Sequence, residues 1–484
     1  MTGLDQPQRL RFAQFAGYGS GDAANNLTFS MASAFLLIYY TNVAGIPAAE
    51  AGTLFLVVRI LGGITDLVAG RIADETSTRW GKFRPYVLFG SVPLLGLLVA
   101  VFSIPHGLTA GGKLVWAYVS YSLFQAAYST VNIPYGSLAA AMTQLPGERA
   151  RLSTARMIFT AAAILVIAAV VAPELSHAAN LQHSLTVTVA IFAVIGVAIY
   201  AWCFAATKET VERDAQRFSI HSTLQMLRHN RPLVILCASS LALYTGIFGA
   251  QTVGVFYAKD VLGDTNLFIV ITVAQTAGMI LAALLAPKAT SALGKRNVYL
   301  AAGVVCVAAG LGIALSPASL PAFAIASFGV LGLGTGAIII VLYAMVADTV
   351  DYGEWNSGVR AEGINYAVFS FTSKVGLGVG GAIAAYTISI GGYVAKAPAQ
   401  THAALQSIRI AAGGLPAALV LIATAAMIAY PLTEKAFRAL VAGIAQRRTA
   451  SQVPLDATPS TGMPIATIPS SAPTSRTRTG GGAI

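Results

Sequence analysis

Residues Val57–Tyr86 read VVRILGGITDLVAGRIADETSTRWGKFRPY. The first half of this stretch is apolar enough to cross a bilayer, yet it contains Arg59 and Asp66. The second half is a short hydrophilic hairpin with Asp74, Glu75, Arg79, Lys82 and Arg84, and Pro85 opens the next apolar run. A charge at the centre of a spanning helix costs roughly 2.5–3.5 kcal/mol on insertion scales, so such residues face a partner or a water-filled cavity. The stretch is read as two membrane-crossing helices joined by a basic turn, with ionisable groups held inside the protein.

The rest of the chain repeats the pattern. Of its 484 residues, 56% are hydrophobic and only 10% are charged, against about a quarter charged in soluble domains. Apolar runs of about 20 residues, each long enough to span the hydrocarbon core, recur almost to the end. A β-barrel would need short alternating segments instead. The expected class is an all-α polytopic membrane protein. The net charge of +11 is explained by topology rather than by a nucleic-acid partner. Lys and Arg crowd alternate loops, as the positive-inside rule requires, and this places both termini in the cytoplasm. The three cysteines, Cys203, Cys237 and Cys306, sit in apolar runs without CxxC spacing, so neither a disulfide framework nor a metal site is expected.

About twelve spans are expected, as six plus six. The first bundle is assigned to residues 1–206 and a charged cytoplasmic linker to 207–231. The second bundle is assigned to 232–431 and a cytoplasmic tail to 432–484, disordered from about 449 where Pro, Ser, Thr and Gly dominate. The basic hairpin Gly70–Pro85 has an echo in KATSALGKRN, Lys288–Asn297, at the equivalent place in the second half. Repeated six-helix units with a midplane substrate site are a common plan of secondary transporters. Gly376, Gly378, Gly380 and Gly381, with Gly329, Gly332, Gly334 and Gly336, allow close helix approach.

Four motifs then appear in order: GYGSGDAANNLTF (Gly17–Phe29) with YYTNVAG (Tyr39–Gly45); TRWGKFRPY (Thr78–Tyr86); VNIPYGSLAAAMTQLPGERARLSTAR (Val131–Arg156); and ADTVDYGEWNSGVRAEGINYAVFSFTSK (Ala347–Lys374). They resemble the glycoside–pentoside–hexuronide:cation symporters, a branch of the major facilitator superfamily, over about residues 10–440. NNLTF, NIPYGSLAAAMTQ and RAEG are most similar to the bacterial glucuronide carriers of that family, and less like the melibiose carriers. The resemblance implies the major facilitator fold, a small-molecule glycoside as substrate, alternating access, a monomer in the inner membrane, and no cofactor beyond a coupling ion.

The resemblance also implies roles. Asp66 is the candidate coupling acid, because a carboxylic acid in a low-dielectric cavity can hold a proton. Thr65, Ser129 and Arg59 accompany it, and Arg59 lies about two turns away on the same face; a plain Arg59–Asp66 pair is the structural alternative. Relatives commonly carry a second acid four residues earlier, where this chain has Gly62. Sodium wants several oxygens and a proton needs one acid, so proton coupling is expected, with sodium as the alternative. Asn26 and Asn132 match sugar positions that carry acids in the melibiose carriers, and Asn25, the neighbour of the first, is a further candidate; amides donate and accept, which suits hydroxyls. Tyr128, Tyr135 and Tyr343 are candidate sugar platforms. Arg156 and Lys374 are intramembrane cations without evident acid partners beyond Asp66, and Arg156 is the leading carboxylate ligand. Asp74, Arg79, Lys82 and Arg84, with Asp348, Asp351, Glu354 and Arg360, are read as a cytoplasmic gate between the bundles. The expected substrate is a glucuronide or other hexuronide; a neutral glycoside or pentoside is the alternative. A membrane enzyme is disfavoured, because the six histidines are scattered over loops.

Overall fold

A computed structural model describes residues 10–143, 145–178, 180–210, 230–357, 362–395 and 397–451. Eleven of its helices are long and apolar enough to cross a membrane. The expected fourth span is a further helix, Ala110–Met142, of 33 residues. At about 1.5 Å per residue it exceeds the bilayer core, although its Tyr, Ser, Gln and Asn residues make it less apolar than the others.

The first half contains α1 (Phe12–Ile38), α2 (Ala48–Glu75), α3 (Arg84–Phe89), α4 (Ser91–Val101), α5 (Ala110–Met142), α6 (Pro146–His177) and α7 (Leu181–Ala206). Helices α3 and α4 make one span, interrupted at Gly90. The second half contains α8 (Arg231–Phe256), α9 (Leu267–Leu293), α10 (Lys295–Leu315), α11 (Pro321–Ser357), α12 (Glu362–Ile390) and a last span built of α13 (His402–Arg409) and α14 (Leu415–Ile428). Within the first half α1 packs on α6 and α7, α5 on α2 and α4. Within the second half α8 packs on α12 and α14, and α11 on α9 and α10. The halves meet where α2 packs along α12, α1 against α8, and α6 against α9.

The tail opens with a helix, α15 (Glu434–Ser451). Residues from Val441 form a unit of their own, and the expected disorder from about 449 falls almost wholly outside the described residues.

The internal repeat is sharper than the sequence reading made it. Helix α1 continues through the π-turn Tyr39–Ala44 to Gly45, at φ 75°, and α8 continues through the π-turn Tyr257–Val261 towards Gly263, at φ 80°. Glycine suits both places because a Cβ is strained at positive φ. The Tyr39 hydroxyl accepts from the Ile104 backbone N–H at 2.9 Å, just beyond the third span. The Tyr257 hydroxyl donates to the Ile313 carbonyl at 2.9 Å, near the end of its counterpart α10.

The basic hairpins match as well. Arg84 donates to the Phe204 carbonyl at the end of α7, with Nη2 at 2.6 Å. Arg296 donates to the carbonyls of Met427 and Ile428 at the end of the last span. Helix C-termini carry unsatisfied carbonyls and partial negative charge, so a guanidinium is well placed there.

The helices approach closely through small residues. A Cβ on Gly376 or Gly380 would meet the Leu241 or Thr245 carbonyl of α8 at 2.8 and 2.3 Å, whereas one on Gly378 would meet Cβ of Arg59 on α2 at 2.5 Å. Alternate glycines of α12 therefore serve different neighbours: two seat it in its own half, and one lets it touch the other half.

Candidate functional site

The ionisable groups flagged in the sequence form three clusters where the helices converge. In the first, Lys374 of α12 pairs with Asp66 of α2, across the meeting of the halves. Asp66 Oδ1 is buried and has no partner among the described residues. Thr65 Oγ1 lies 3.0 Å from Ser129 Oγ and donates to the Gly62 carbonyl at 3.0 Å. The expected Arg59–Asp66 alternative is not formed, because Asp66 is taken by Lys374.

The second cluster lies inside the first half. Arg156 binds Asp22 Oδ1 through Nε at 3.1 Å and Nη2 at 2.8 Å. Thr160 donates to the other carboxylate oxygen of Asp22. Asn26 donates to Thr160 Oγ1 at 3.1 Å and to the Asp22 carbonyl at 2.9 Å. This corrects the view of Arg156 as a cation without an acid. Asp22 sits four residues before Asn26, one turn along the same helix face, so the register of α1 itself brings the partner. Asn25 is buried and accepts from Tyr200 at 2.8 Å, and its amide nitrogen has no partner among the described residues. Its position one residue from Asn26 turns it to a different neighbour.

The third cluster centres on Arg59, which is 8% exposed. Its guanidinium carbon stands 5.1 Å from the Phe29 ring centre and 5.4 Å from that of Phe248, one ring from each half. Nη1 is 3.5 Å from Gln125 Oε1, at the limit of a hydrogen bond. A Cβ on Gly62 would stand 2.8–3.0 Å from the Gln125 side chain. The space that a side chain at position 62 would need is thus filled by a neutral amide from α5.

The aromatic candidates divide. Tyr128 is half-buried and stacks near Phe29 and Phe124 at 5.8 and 6.4 Å. Tyr135 is fully buried, stacks on Tyr18 at 4.9 Å and donates to the Tyr18 carbonyl at 2.5 Å. Its ring is stacked, its hydroxyl is bonded and no part of it is exposed, with Arg156 5.2 Å from the ring, so it offers no open platform in this conformation. Tyr343 is 49% exposed and meets Phe369 edge-on at 5.5 Å. Asn132 is half-buried and makes no side-chain hydrogen bond among the described residues.

Two of the gate candidates, Arg84 and Asp348, are bound within their own halves. Arg84 is clamped to α7, and Glu209 accepts from the backbone N–H groups of Lys82, Phe83 and Arg84 at 2.8–2.9 Å. Asp348 pairs with Lys295 at 2.7 Å through both its oxygens. Each of these contacts stays within one half. In this conformation Arg84 and Asp348 therefore do not latch the halves together, because each finds a nearer partner in its own bundle. Arg79 lies over Trp80 at 4.2 Å. Asp351 and Glu354 lie on α11, which ends at Ser357. The backbone of Asp74 is in α2, whereas its side chain, and the whole of Arg360, lie outside the described residues.

The sequence reading missed Asp22 as the partner of Arg156, and it missed Thr160, Gln125, Phe29 and Phe248. One signal was available for Asp22: a cation in a spanning helix calls for an acid on a neighbouring one. No comparable signal marks Gln125 or the two phenylalanines. Among the described residues no group of His, Cys, Asp and Glu side chains could hold a metal ion.

Known proteins place this arrangement. A family model described as MFS/sugar transport protein matches residues 17–434. A glucuronide carrier protein homolog of Escherichia coli (strain K12) is 39% identical over 456 residues, which is 92% of this chain and 98% of that protein. An isoprimeverose transporter of Lactiplantibacillus pentosus is 36% identical over 81% of this chain and 83% of its own length. A crystal structure of the nucleoside transporter NupG has the same fold, with a TM-score of 0.61 at 13% identity, covering 87% of this chain and all of that one. The match across nearly all the spans, together with relatives of this identity, shows that the chain belongs to the MFS/sugar transport family, as a multi-pass membrane transporter and not an enzyme.

Proposed function

We propose that this protein imports an anionic glycoside, a β-glucuronide or similar hexuronide, together with a proton by alternating access. The observation that carries the coupling is the Asp66–Lys374 pair between the halves. Protonating Asp66 removes its charge and releases Lys374, so proton binding alters a contact that alternating access must break. The position of a second acid is Gly62, and the Gln125 amide fills its space. One carboxylate suffices for a proton.

Three observations support the anionic substrate. Arg156 and Lys374 are each neutralised by an acid, which leaves Arg59 in surplus. The amides of Asn26 and Asn132 bring no negative charge to the site. The Escherichia coli relative is named for glucuronide. Asn26, Asn132 and Tyr128 are the proposed sugar contacts in an opened state. The protein acts as a monomer in the bacterial inner membrane, with both termini cytoplasmic. Its division into two six-helix bundles follows the linker at 207–231.

Uptake of a labelled glucuronide into proteoliposomes under imposed gradients tests this reading. A pH gradient, acid outside, should drive accumulation without sodium. A strict sodium requirement would overturn proton coupling. A second reading, a neutral glycoside or pentoside carried with sodium, draws on the Thr65 and Ser129 oxygens beside Asp66. It predicts sodium-driven uptake of the neutral sugar in the same assay.

A further inference from the structure

Arg59 is the interior cation that the paired clusters leave over. Its guanidinium has five N–H donors. Among the described residues they find one marginal bond, to Gln125, and no carboxylate. Two phenylalanine rings attract the charge, but neither accepts a conventional hydrogen bond. A buried charge without a counterion is expensive to keep.

The residue also borders a cavity. A space of about 10 Å³, room for about one water, is lined by Arg59 with Ser33, Tyr121, Phe248, Thr252 and Gly381, so its walls come from both halves. Ser33 and Thr252 donate to the carbonyls of Phe29 and Phe248 at 2.6 and 2.8 Å. The lone pairs of their oxygens are left for a hydroxyl donor. The surroundings thus combine an unpaired guanidinium, two hydroxyl acceptors and an aromatic ring at the seam that must open and close. A sugar does not fit in the present conformation, so the halves must separate for it to enter.

Resting on the anionic-glycoside reading above, we infer that Arg59 grips the substrate carboxylate, and that Arg156, already held by Asp22, does not. The planar fork of an arginine matches a carboxylate through two parallel hydrogen bonds. Ser33 and Thr252 then accept from sugar hydroxyls, and the Phe248 ring packs on the apolar face of the sugar. Arg59 thereby sets the preference for an acid over the matching neutral sugar.

The test is counterflow into proteoliposomes, which needs no ion gradient and so does not depend on coupling. Uptake of p-nitrophenyl β-D-glucuronide is compared with that of the matching glucoside for wild type, Arg59→Gln, Arg59→Lys and Arg156→Gln. Wild type should prefer the glucuronide. Arg59→Gln should lower the glucuronide-to-glucoside ratio at least tenfold. Arg59→Lys, a point charge without the fork, should give an intermediate ratio, and Arg156→Gln should leave the ratio unchanged. If Arg59→Gln does not reach the membrane, the Lys variant decides: a lowered ratio supports the assignment and an unchanged one overturns it. Equal loss of both substrates in Arg59→Gln, or a ratio that moves only in Arg156→Gln, overturns Arg59 as the ligand and leaves the anionic reading standing. A wild type that prefers the glucoside overturns that reading, and the assignment of Arg59 with it.

Discussion

The ammonium of Lys374 reaches the carboxylate of Asp66 from the opposite half of the molecule. The two residues are 308 positions apart in the chain. Nearby, the guanidinium of Arg59 lies between rings that also come from the two halves. Two charge clusters therefore lie where the halves meet, while the Asp22–Arg156 and Lys295–Asp348 pairs each lie within one half.

Asp66→Asn should abolish gradient-driven accumulation and leave exchange of substrate intact. It also leaves Lys374 without its acid, and losing a charge-assisted bond in a partly buried pair costs about 1–3 kcal/mol. The double variant Asp66→Asn/Lys374→Gln should therefore recover thermal stability without recovering accumulation. Accumulation by the single variant at the wild-type level would remove Asp66 from the coupling step.

Asp22→Asn should act as a structural lesion of the first half. It weakens a charge-assisted bond to Arg156 and disturbs the Thr160–Asn26 chain. The Arg156 side chain retains some solvent contact, so we expect a loss of about 1–3 kcal/mol. Thermal unfolding in detergent measures it, and the double variant Asp22→Asn/Arg156→Gln should restore most of the loss. A double variant no more stable than the single one would show that the pair does not carry the effect.

Gly378→Val and Gly380→Val should have different consequences despite lying two residues apart. At Gly380 the new side chain collides with backbone of α8 in the same half, so thermal stability should fall. At Gly378 it meets Arg59 of the other half, which can move away as a body. That variant should fold, yet depopulate the conformation described here. Labelling of single cysteines introduced along the α2–α12 seam reads the shift. Equal labelling in Gly378→Val and the parent would contradict this.

Arg84→Ala and Arg296→Ala should behave alike, because each guanidinium holds the carbonyls at the end of the last span of its half. Each loss should cost about 1.5–3 kcal/mol, the range for hydrogen bonds to charged groups. Cytoplasmic accessibility at the seam should stay the same. A marked rise in accessibility with unchanged unfolding temperature would instead favour a gate between the halves.

Much of the fold is legible in the order of residues. Long apolar runs, sparse charge and the placement of Lys and Arg determine a polytopic helical protein, because a bilayer requires each spanning segment to satisfy its own backbone. The motifs around Asn26, Asp66, Asn132, Arg156 and Lys374 identify the residues that carry charge or amides inside the membrane. What they pair with is another matter. Helical periodicity puts Asp22 and Asn26 on one face, but it does not say that α6 brings Arg156 and Thr160 to that face. Nothing local distinguishes Lys374 from Arg59 as the partner of Asp66, since opposite charges within reach are interchangeable until distances are set. Likewise Arg84 and Asp348 read as charges of one surface, and only packing shows each bound within its own half.

The sequence by itself determined the spans, the repeat and the chemical inventory, since these depend on composition and periodicity along one dimension. The tertiary structure alone decided the pairing of the charges: Asp22 with Arg156, Asp66 with Lys374, and Arg59 with no acid among the described residues. Interaction between charges depends on separation and burial, and for residues more than a hundred positions apart both are set by how α1, α2, α6 and α12 pack.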